Sequence, residues 1–86
     1  EQMEVEIGGP VSQVLPALRA LKGVASASHR SNHGKEIYTI QANEGQDLRD
    51  EISRTVIGGG WSLLSMQTMG MSLEEIFLKL TTHEEL

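Results

Sequence analysis

VASASHRSNHGKEIYTIQA, residues 24–42, is the stretch on which the fold turns. Its second half alternates: Tyr38, Ile40 and Ala42 fall on one side of an extended chain, which predicts a half-buried strand over 36–42. Its first half, 24–30, is a weaker strand rich in Ala and Ser. Ser31-Asn32-His33-Gly34 between them is turn chemistry, with Asn and Gly suited to positive φ. Two strands joined this closely read as a hairpin.

Upstream, residues 2–7 alternate, with Met3, Val5 and Ile7 on one face and Gln2, Glu4 and Glu6 on the other. Gly8-Gly9-Pro10 ends that strand. Residues 11–22 then have helical spacing, with Val14, Leu15, Leu18 and Leu21 as the inner face. Pro16 inside this run predicts a kink or the first position of a second part of the helix, because it lacks an N–H, and Gly23 predicts a C-terminal stop. Downstream of the hairpin, Asn43-Glu44-Gly45 is a loop, and a second helix is expected from Gln46 or Asp47. Asp47, Asp50 and Glu51 suit its positive N-terminal end. Leu48, Ile52 and Val56 form its inner stripe with Ile57 beside it, and Gly58-Gly59-Gly60 stops it. Residues 61–68 predict a fourth strand.

The final helix is the best specified. Ser72 and Glu75 form a capping box, and Met71 can staple onto Ile76. Leu73, Ile76, Phe77 and Leu80 follow helical spacing and make one apolar, core-closing face. Burying four such side chains is worth roughly 6–12 kcal/mol, against roughly 10–20 kcal/mol to order the backbone, so this helix must dock. Leu78 points away from the stripe, and with Glu74 and Lys79 it forms a candidate contact outside the domain. The order β-α-β-β-α-β-α predicts an α+β fold: a ferredoxin-like βαββαβ sandwich with an extra C-terminal helix. Its first and third strands would be central and its second at an edge.

Eighty-six residues suggest one domain over residues 1–86. The abrupt opening at Glu1 in strand-like sequence is the pattern of a piece of a longer protein. With no cysteine there is no disulfide and no thiolate metal site. No apolar run approaches the length of a membrane span, so no direct membrane insertion is expected. A net charge of −5, with seven basic residues scattered among twelve acidic ones, argues against nucleic acid and against an anionic membrane surface.

Gly58-Gly59-Gly60-Trp61-Ser62 lacks the lysine of a phosphate loop, and its glycines end a helix rather than open one. His29 and His33 stand four apart near a hairpin tip, where they need not face each other, and no third metal ligand is evident. Arg30 with Asn32 hints at oxyanion handling, but no phosphate-cradling loop accompanies them. Met66, Met69 and Met71 read as core filler, and His83-Glu84-Glu85 as a charged tail. No nucleophile–base–orienter set can be assembled, so no catalytic, cofactor or metal residue is assigned.

The last third carries a resemblance. Asp47-Leu48-Arg49-Asp50-Glu51-Ile52, the strand Trp61-Ser62-Leu63-Leu64-Ser65-Met66, and Ser72-Leu73-Glu74-Glu75-Ile76-Phe77-Leu78-Lys79-Leu80-Thr81 are similar to the C-terminal accessory domain of ABC-2-type exporter ATP-binding subunits, the gliding-motility and multidrug exporter class. Leu18-Arg19-Ala20-Leu21-Lys22-Gly23-Val24 resembles that family's passage from first helix to second strand. Pro16 and the glycine triplet depart from its pattern. The resemblance implies a non-catalytic regulatory or interaction domain at the C-terminal end of a longer ATPase subunit. ATP and magnesium would then belong to the parent subunit, with no cofactor in this piece. The implied partners are a second ATP-binding subunit and a transmembrane permease subunit. The implied location is cytoplasmic, peripheral to the inner membrane. A free-standing small-ligand sensor of the ferredoxin-like type and a small enzyme on that fold are the alternatives.

Overall fold

A computed structural model describes residues 2–69. Six elements run in the order β1 (Gln2–Gly8), α1 (Val11–Arg19), β2 (Val24–Asn32), β3 (Lys35–Ala42), α2 (Arg49–Gly58) and β4 (Ser62–Met69). The strands form one open antiparallel sheet in the order β2-β3-β1-β4, so β1 and β3 are central and β2 and β4 are edges. This is an α+β fold compatible with the ferredoxin-like sandwich. The helix expected over 71–81, and with it Leu73, Glu74, Ile76, Phe77, Leu78, Lys79 and Leu80, lies outside the described residues.

One face of the sheet makes the core. Met3, Val5 and Ile7 of β1, Tyr38, Ile40 and Ala42 of β3, and Ala27 of β2 are buried beneath Val14 and Leu18 of α1 and Leu48, Ile52 and Val56 beside and along α2. Both helices lie on this face, and the period-two alternation that buries Val5 turns Glu4 and Glu6 to the other.

Several boundaries differ from expectation, each for a local reason. The hairpin is tighter: β2 runs on through Asn32 and the turn is His33-Gly34 alone. Both residues take positive φ, 51° and 78°, the pattern of the two-residue hairpin turn whose twist matches its strands. The non-glycine residue with positive φ is therefore His33, not Asn32. The first helix ends at Arg19 rather than Lys22. The Leu21 N–H bonds back three residues to Leu18 (3.2 Å), which tightens the chain into a turn, and Gly23 at φ 95° sends it into β2. Leu21 still packs on the core from outside the helix. The second helix starts at Arg49, because Asp47 acts from just before it: its carboxylate accepts the Arg49 N–H at 3.2 Å and the guanidinium at 2.7 Å. Trp61 stands before β4 rather than in it.

Candidate functional site

The tight hairpin brings four polar and aromatic side chains together on the helix-facing side of the sheet. With the turn at His33-Gly34, Ser31 falls opposite Glu36 and His29 opposite Tyr38. Residues two apart on a strand share a face, so the four occupy a two-by-two block. Glu36 Oε2 accepts from Ser31 Oγ at 2.7 Å and from His29 Nε2. The His29 and Tyr38 rings lie 5.1 Å apart, tilted by 45°.

The electrostatics follow from these contacts. The Ser31 hydrogen bond, then that of His29, holds the Glu36 carboxyl below its ordinary pKa. Burial, with the Glu36 charge added, pushes the Tyr38 phenol up. The Tyr38 hydroxyl is buried without a hydrogen-bond partner among the described residues. A carboxylate stabilised in its charged form is a poor general base, and here Ser31 and His29 both spend their protons on it. The cluster can fasten β2 to β3.

The residues singled out around the hairpin are not gathered into one site. His33 sits exposed on the turn, away from His29. Arg30 lies on the opposite face of the sheet, where its guanidinium donates to Glu4 Oε2 at 3.2 Å. Among the described residues no group of three or more His, Asp or Glu could hold a metal ion, and no helix is long and apolar enough to cross a membrane. The sequence pattern alone does not single out Ser31 and Glu36. The signal that finds them is register: once Asn32 is counted as strand, Ser31 must oppose Glu36.

Two further surfaces are candidates for contact with another molecule. A groove of about 500 Å³ opens between the α1–β2 turn and the start of α2, lined by Leu21, Lys22, Gly23, Asn43, Gln46, Leu48 and Glu51. The second is the face of the sheet that α1 and α2 leave open. It presents the row Ser28–Thr39–Glu4–Gln67 and, beside it, Arg30–Ile37–Glu6–Ser65. Ile37 is half-buried there amid polar neighbours, and Leu64, the extra residue of a β-bulge in β4, is 59% exposed. No protein-family model matches the chain, and a search of curated proteins finds no relative.

Proposed function

We propose that the chain is a non-catalytic regulatory and interaction domain of an ABC exporter's ATP-binding subunit, built as a ferredoxin-like sandwich with a C-terminal helix. The observation that carries the interaction reading is the open face of the sheet. A four-stranded surface with charged, hydroxyl and amide side chains and the apolar Ile37 and Leu64 suits contact with another protein. The closing motif at 72–81 supports the exporter assignment, and the sheet order supports the fold. On this reading the partners are a second ATP-binding subunit and the permease, and the domain sits at the cytoplasmic side of the inner membrane. ATP and magnesium act in the parent, and Glu74, Leu78 and Lys79 add a contact from the final segment.

The test is the complete reading frame of the parent gene. The reading expects an upstream ATPase domain with a Gly-x4-Gly-Lys-Ser/Thr phosphate loop. A frame with no such domain contradicts the exporter assignment. The groove beside Gly23 favours a second reading, a small-ligand sensor, since its volume is that of a small-molecule site. A rise in melting temperature with free amino acids would select that reading, because a ligand that binds the native state stabilises it.

A further inference from the structure

We draw no further inference here: the strongest candidate, the groove between the α1–β2 turn and the start of α2, walled by Leu21 and Leu48 with Lys22 and Glu51 at its rim, carries nothing beyond the sensor reading already given, because nothing in the structure shows what fills it.

Discussion

The indole of Trp61 lies against the backbone of Gly9, so closely that a Cβ on Gly9 would stand 2.7 Å from ring atom Cδ1. Gly59 approaches the same ring from another element, where a Cβ would come to 2.9 Å. Trp61 thus joins the β1–α1 connection to the α2–β4 connection, and both glycines are small because the ring needs their space. Gly9→Ala should destabilise the chain by about 1–3 kcal/mol, read from the urea midpoint. The cost should shrink when Trp61→Ala is already in place, since neighbours that share a contact are not additive. Equal costs in both backgrounds would separate Gly9 from the ring.

Tyr38 offers the opposite kind of test. Its hydroxyl is buried and unpartnered among the described residues, so Tyr38→Phe removes a polar atom that gains nothing in the folded state. The change should be neutral or stabilise by up to about 1 kcal/mol in denaturant unfolding. A loss above about 1 kcal/mol would show that the hydroxyl has a partner.

Acid stability should depend on Asp47. Hydrogen bonds from Arg49 hold its carboxyl at about 2, from an ordinary 3.8. A carboxyl with a lowered folded-state pKa contributes stability that is fully present above the unfolded value. That contribution is lost as pH falls through the folded one. Stability should therefore decline from just below pH 4 toward about 2, and Asp47→Asn should flatten that part of the profile. Glu36 carries the same sign, its contribution being lost below its ordinary 4.5, and Glu36→Gln should reduce the slope there. Slopes identical to that of the unsubstituted chain would mean the two carboxylates gain nothing on folding.

The final segment supplies a test of its own. Phe77→Ala should cost about 3–5 kcal/mol if its stripe closes the core, and an unchanged urea midpoint would place that face elsewhere. Leu78→Ser should leave folding unaltered and weaken subunit association.

Much of the fold can be read from period alone. Val5, Tyr38 and Ile40 stand out because one buried face leaves a strict alternation, and Ile52 and Val56 because a helix repeats near four. The hairpin tip is harder. His33 has a side chain that disfavours positive φ, yet it takes that conformation because a two-residue turn matches the twist of β2 and β3. The end of α1 is obscured because Leu21 keeps its apolar spacing after the helix has stopped. The contacts of Glu36 depend on pairing between strands, which composition does not carry until the turn is placed. Trp61 hides its role because its partners are glycines, whose use is the room they leave.

Crosslinking in whatever assembly the full-length protein forms tests the central claim, that the open face of the sheet is a contact surface, most directly. A photoreactive label on Gln41→Cys, exposed on the open face, should attach to a neighbouring subunit, while one on Ser12→Cys, exposed on α1, should not. No adduct from Gln41→Cys, or equal adducts from both positions, would contradict the account of that face as the contact surface.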